Sequence, residues 1–169
     1  DEDDETVFLD ERLLVTPTFA IAECKNMTDQ MGIMAKKNFF RSMKMINNFS
    51  QKRMDKILRK EPKIDMYEDK LGTFLVKLSS KDLTEKDNHE VSKLLHCISD
   101  FERIGDHAVN ILKVAKDMNE KQIRFSDEAK AEIQRITSAL SEIMDLTVEA
   151  FGENNLEKAK KVEPLEQVI

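Results

Sequence analysis

The apolar residues between Cys24 and Phe49 keep a single spacing, and that spacing constrains the fold more than any other feature of the chain. Cys24, Met27, Met31, Met34, Ala35, Phe39, Met43, Ile46 and Phe49 recur every three or four positions, the repeat of one helix face. Thr16-Pro17 reads as an N-cap followed by proline at the first helical position. A helix from there to the turn at Asn47-Asn48-Phe49-Ser50 would be roughly 48 Å long at about 1.5 Å per residue. An apolar stripe of that length needs a long antiparallel partner. Composition points the same way: 36% charged residues, 6% aromatic, four Gly and three Pro favour long amphipathic helices over a sheet.

The partner follows at once. Ile57, Glu61, Ile64, Glu68, Leu71, Leu75 and Leu78 form a stripe whose spacings alternate four and three, predicting a helix over 51–79 that Pro62 bends near Glu61. Ser79-Ser80-Lys81-Asp82 closes it, and Thr84-Glu85-Lys86-Asp87 resembles a capping box opening a third helix over 85–118. Ser126-Asp127-Glu128 opens a fourth, with Ile133, Ile136, Leu140, Ile143, Thr147 and Ala150 on its stripe. Gly152-Glu153-Asn154-Asn155 turns it into a fifth, carrying Ala159, Val162, Glu163, Glu166 and Ile169. The expected fold is all-α, an antiparallel long-helix bundle. Residues 1–16 lack helical periodicity and read as a leader or linker.

Two acids interrupt the third stripe. It runs Val91, Leu95, Ile98, then Glu102 and Gly105, then Val109 and Leu112, with Asp106 one turn beyond Glu102. A carboxylate on a core-facing stripe must be paired, hydrogen-bonded, protonated or bound to a metal, because burying a bare charge is too costly. Glu61-Pro62-Lys63-Ile64-Asp65 repeats the pattern of Glu102-Arg103-Ile104-Gly105-Asp106: an acid, three residues, then Asp. That spacing stacks both carboxylates of each motif on one helix face. The turn between the two helices is centred near residue 82, about 20 residues from both Glu61 and Glu102, so the two motifs should stand at similar height. Four converging carboxylates would form a hard oxygen cage for a divalent or trivalent cation, with Asn110 placed to ligate or orient. The competing reading is that Arg103 or Lys63 pairs with these acids, or that water solvates them.

A weak internal repeat is also visible. Ala22-Glu23 recurs as Ala131-Glu132, and Glu61-Pro62 as Glu163-Pro164, at offsets that differ by seven residues, or two helical turns. Asp65 has no counterpart, since Gln167 stands there.

Several functions are disfavoured. The net charge is −6 and no basic face carries interleaved aromatics, so nucleic acid is not an expected partner. No Glu is followed by His three residues later, as a ferritin-like di-iron site requires. His107 points off the stripe, and His89 and His96 read as plain helix residues. No nucleophile-base pair or Gly-rich phosphate loop is present, so catalysis has no support. Cys24 and Cys97 lack metal-ligand spacing and read as reduced core residues of a cytosolic protein. No apolar run has the length of a membrane span, so direct insertion of this chain is not expected. The chain begins at Asp1 in an acidic run and stops at Val168-Ile169 in mid-pattern, which suggests part of a larger protein.

Asp100-Phe101-Glu102-Arg103-Ile104-Gly105-Asp106-His107-Ala108-Val109-Asn110-Ile111 resembles the signature of PhoU-type domains, and Glu61-Pro62-Lys63-Ile64-Asp65 their companion acidic motif. Leu9-Asp10-Glu11-Arg12-Leu13-Leu14-Val15-Thr16-Pro17 resembles the junction before the PhoU-like domain of bacterial sodium/phosphate cotransporters. The resemblance implies two three-helix bundles with metal clusters held by paired acidic motifs, and it makes Glu61, Asp65, Glu102 and Asp106 the metal ligands of the first. It divides the chain into a leader (1–16), a first repeat (17–120) and a truncated second repeat (121–169).

The expected function is that of a non-enzymatic cytoplasmic regulatory domain of a sodium-dependent phosphate symporter, working through metal binding and protein contacts. The cation would be iron or zinc, with magnesium or manganese as alternatives. The partners would be the transmembrane region of the same polypeptide and a second copy of the chain, because the truncated second repeat leaves apolar residues partly covered. A free-standing PhoU-type adapter that represses phosphate-starvation signalling is the alternative reading, and a metal-dependent phosphohydrolase the third.

Overall fold

The computed structural model describes residues 9–167; the acidic run at 1–5 and the terminal Val168-Ile169 lie outside them. All the described elements are helical, as the periodicity predicts: α1 (Pro17–Asn47), α2 (Gln51–Leu58), α3 (Glu61–Ser79), α4 (Glu85–Glu120), α5 (Asp127–Glu153), α6 (Leu156–Ala159) and α7 (Val162–Glu166). Among the described residues no helix is long and apolar enough to cross a membrane.

The starts of α4 and α5 follow their capping residues. The Thr84 hydroxyl accepts from the Asp87 amide, and the Ser126 hydroxyl accepts from the Ala129 amide, each satisfying a donor that a helix start leaves unpaired. Asn154 ends α5 in the left-handed conformation at φ 53°, which asparagine tolerates well.

Two expected helices are each broken in two. The 51–79 segment does not bend at Pro62; it stops at Leu58 and restarts at Glu61. Proline has no amide to bond the Leu58 carbonyl and its ring crowds that group, so the chain passes through Arg59 and Lys60 with shorter-range bonds, Lys60 N to Ile57 O and Lys63 N to Lys60 O. As a result Glu61 opens α3 instead of sitting inside a longer helix. The expected fifth helix breaks in the same way into α6 and α7, two residues ahead of Pro164.

α1, α3 and α4 make a three-helix bundle, and α5 lies along α1. α1 packs most extensively on α4, which runs parallel to it, while α5 supplies the expected long antiparallel partner: Asp29 lies against Gly152 and Lys36 pairs with Asp145. Gly32 faces the Phe101 ring, and further along both helices Met45 clusters with Leu112 and Ala115. α3 returns antiparallel to both. The Tyr67 hydroxyl donates to Gln30 Oε1 on α1 (3.2 Å), and Ile98 of α4 reaches Gly72.

The inner faces also differ from the expected stripes. On α1 the buried residues are Ala20, Ile21, Cys24, Met27, Thr28, Met31, Gly32, Ala35, Asn38, Ser42 and Met45; Phe39, Met43 and Ile46 are half-buried. On α4, Leu94, Phe101 and Ala108 are buried where Leu95, Glu102 and Val109 were expected. Residues 9–16 are not a free linker. Glu11–Val15 form a 3-10 turn capped by Asp10, Leu9, Leu13 and Leu14 pack on the core, and Glu11 pairs with Lys77 at 2.5 Å.

Candidate metal centre

Glu61 is placed by the α2–α3 break and α4 by its antiparallel return, and together they set the carboxylate of Glu61 directly on Gly105. A Cβ at Gly105 would stand 3.0 Å from Glu61 Oε1 and 3.6 Å from Oε2. A glycine eases this approach, because a Cβ there would press the carboxylate back by a few tenths of an ångström. Gly105 lies between Glu102 and Asp106, so the two acidic motifs meet at the same height, as their equal distance from the turn predicts.

Electrostatics shows the same convergence. Burial pushes the Glu61 carboxyl up to about 7, and the charges of Asp65, Asp106 and Glu102 push in the same direction. The Glu102 carboxyl is raised as well, first by burial, then by Asp106 and Glu68, by a hydrogen bond with Asp106, and by Asp65. Like charges in a poorly hydrated place favour protonation. Glu68 therefore belongs beside the four expected residues, and its place on the α3 stripe was already legible.

The influences that shift Glu61 and Glu102 are burial, neighbouring acids and, for Glu102, a hydrogen bond with Asp106. Arg103, a possible partner by sequence, pairs instead with Asp100 at 3.4 Å. Both Glu61 oxygens are buried without a hydrogen-bond partner. A buried acceptor in that state is costly unless something else satisfies it.

The four expected acids differ in exposure. Glu61 and Glu102 are half-buried, while Asp65 and Asp106 are exposed and Asn110 is exposed one turn further on. Asp106 is thus at the rim and not on the core face, because Phe101, Gly105 and Ala108 take that face. Among the described residues no three His, Cys, Asp or Glu side chains are already arranged to hold a metal ion. The donor set nonetheless fits a hard cation: it is all oxygen, crowded with negative charge, and has an orphaned carboxylate at its inner end. His89, His96 and His107 are exposed, as expected of bystanders.

Asn38 is the polar residue that sequence reasoning missed. It is 1% exposed and its Nδ2 has no partner. The only signal for it was a polar residue one position before Phe39, on a column next to the one the apolar spacing selects.

The similarity of the chain to known proteins runs through this region. A protein of Clostridium acetobutylicum described as a phosphate-specific transport system accessory protein PhoU homolog is 26% identical over 135 residues, 79% of this chain and 60% of the relative. The chain therefore spans less than two thirds of that relative's length. No solved structure matches. The PhoU domain matches residues 28–115, just over half of the chain and inclusive of both acidic motifs, and the chain belongs to the PhoU domain family.

Proposed function

We propose that this domain regulates phosphate transport, binding a cation through Glu61, Asp65, Glu102 and Asp106 and passing its state to a transport protein through helix contacts. The observation that carries the cation reading is the pair of buried Glu61 oxygens without a hydrogen-bond partner, in the field of three further acids, Asp65, Asp106 and Glu102. A bound cation would supply positive charge to that cluster. Glu61 would hold it from the inner end, and the half-exposed Glu102 and exposed Asp65 and Asp106 would close on it from the rim. Because Glu61 opens α3 and the other motif lies within α4, occupancy would tie the α2–α3 break to the longest helix of the bundle. Iron or zinc suits the site best on family grounds, with manganese or magnesium as alternatives.

The resemblance of Leu9–Pro17 to a cotransporter junction supports a domain attached to a sodium/phosphate symporter on the cytoplasmic side. In that setting residues 17–120 form one repeat and 121–169 the start of a second. The accessory protein matched in Clostridium acetobutylicum supports a second reading, a free-standing adapter acting on a separate transport system. Neither requires catalysis.

The test is phosphate accumulation in bacterial cells lacking their own PhoU-type regulator. Expression of the natural full-length protein should change accumulation, and Asp106→Asn should abolish that change while the protein remains folded. Unchanged accumulation with wild type, or full activity of Asp106→Asn, would count against the proposal.

A further inference from the structure

Three polar side chains are fully buried on α1: Thr28, Asn38 and Ser42. Two of them are satisfied locally. The Thr28 hydroxyl donates to the Cys24 carbonyl at 2.7 Å and the Ser42 hydroxyl to the Asn38 carbonyl at 2.8 Å. Asn38 alone keeps a side-chain donor with no acceptor. A carboxamide in that state weakens a core unless another group completes it.

The helix registers put Asn38 level with Glu61. Along α1 and α4, Gly32 meets Phe101 and Met45 clusters with Leu112 and Ala115, so Asn38 falls opposite the Gly105–Ala108 stretch. Along α1 and α3, Gln30 meets Tyr67 in an antiparallel run, so Asn38, two helical turns further on, falls at the start of α3. Glu61 rests on Gly105 in that same layer. The apolar core is divided there too. One cluster ends at Ala35, Ile64 and Phe101, and the other begins at Met45, Met54, Ile57 and Leu112. Between them lies a polar layer with one unmet donor on Asn38 and two unmet acceptors on Glu61.

We propose that Asn38 is the positioning residue for Glu61 in the cation-bound state: its carboxamide N–H donates to one Glu61 oxygen and turns the other toward Asp65, Glu102 and Asp106. The inference rests on the cation reading above. It gives a reason for a donor kept in the core of α1 with no acceptor of its own. A hydrogen bond from outside the coordination sphere fixes a ligand's orientation, and its loss typically costs about 10–100-fold in metal affinity.

The experiment is calorimetric titration of the chelator-stripped chain with Zn²⁺ alone and Mn²⁺ alone, far below the unfolding midpoint. Wild type is compared with Asn38→Leu, Glu61→Gln and the double variant, and Asn38→Ala replaces Asn38→Leu if leucine overpacks the site. Asn38→Leu should raise the metal-free midpoint, because it removes the unmet donor, and should weaken cation binding about tenfold or more. The double variant should bind no more weakly than Glu61→Gln alone, because Asn38 acts only through Glu61. Wild-type affinity retained in Asn38→Leu overturns the proposal, as does a double variant that loses the product of both single effects. Absence of binding by the wild type overturns the cation reading itself and the proposal with it, so the two failures are distinguishable.

Discussion

The Glu61 carboxylate lies against Gly105, with Oε1 3.0 Å from where a Cβ would stand, so an added Cβ would press it back. Gly105→Ala should therefore displace the flexible end of Glu61 without disrupting the α3–α4 packing. Alanine favours helix over glycine by up to about 1 kcal/mol, so metal-free stability should change by less than about 1 kcal/mol. Stabilisation by added cation should fall. Paired thermal melts with and without Zn²⁺ check both statements, and a large loss of metal-free stability would place the strain elsewhere.

The metal-free protein should lose stability as pH rises from about 4.5 to about 7. Burial and neighbouring acids lift Glu61 from its ordinary 4.5 to about 7, so the folded state binds this proton more tightly than the unfolded chain. The contribution is fully present below the unfolded value and is lost as pH passes the folded one. Glu102, also raised, acts in the same direction. Glu61→Gln should flatten this part of the profile and stabilise the metal-free protein at pH 8 by about 1–2 kcal/mol, below the full-burial figure because water screens a partly exposed carboxyl. Urea titrations across the pH range provide the test; a profile unaffected by Glu61→Gln would contradict the account.

The meeting of the two acidic motifs was legible because it needs only a short turn and equal distances from it. The helix break before Glu61 was less so: Pro62 signals a disturbance, but whether a helix bends or stops depends on the packing around it. Asn38 was hidden by α1 itself. That helix packs on α3, α4 and α5, so apolar residues fill neighbouring columns, and spacing alone does not say which column faces the core. Phe39 and Asn38 differ by one position and exchange roles. The same ambiguity shifted the α4 stripe from Leu95 and Val109 to Leu94 and Ala108.

Gly32→Ala should destabilise the bundle by about 1–3 kcal/mol, the usual cost of overpacking a core. The new Cβ would meet the Phe101 ring at 2.8 Å. That ring also packs edge-on against Phe151 of α5, with centroids 6.0 Å apart, which restricts its retreat. Chemical denaturation measures the effect, and a neutral result would argue against the parallel α1–α4 contact.

The chain should self-associate at high concentration. Along α5, Ile136 is 48% exposed, and Ile133, Leu140 and Ile143 are only half-buried. A row of partly covered apolar side chains tends to find a partner. Light scattering over a concentration series should show a rising mean mass that Ile136→Glu reduces; a constant monomer mass would contradict the expectation.

The most direct test of the acidic site is the thermal midpoint of chelator-stripped protein titrated with iron, zinc, manganese and magnesium. At least one cation should raise the midpoint, by an amount equivalent to about 2.7 kcal/mol when free metal is a hundredfold above its dissociation constant. The effect should fade as pH falls and protons compete for the carboxylates. Asp106→Asn, which keeps shape and removes charge, should weaken it while helical content is preserved. If no cation raises the midpoint, or if Asp106→Asn responds as wild type does, then Glu61, Asp65, Glu102 and Asp106 are not a cation site.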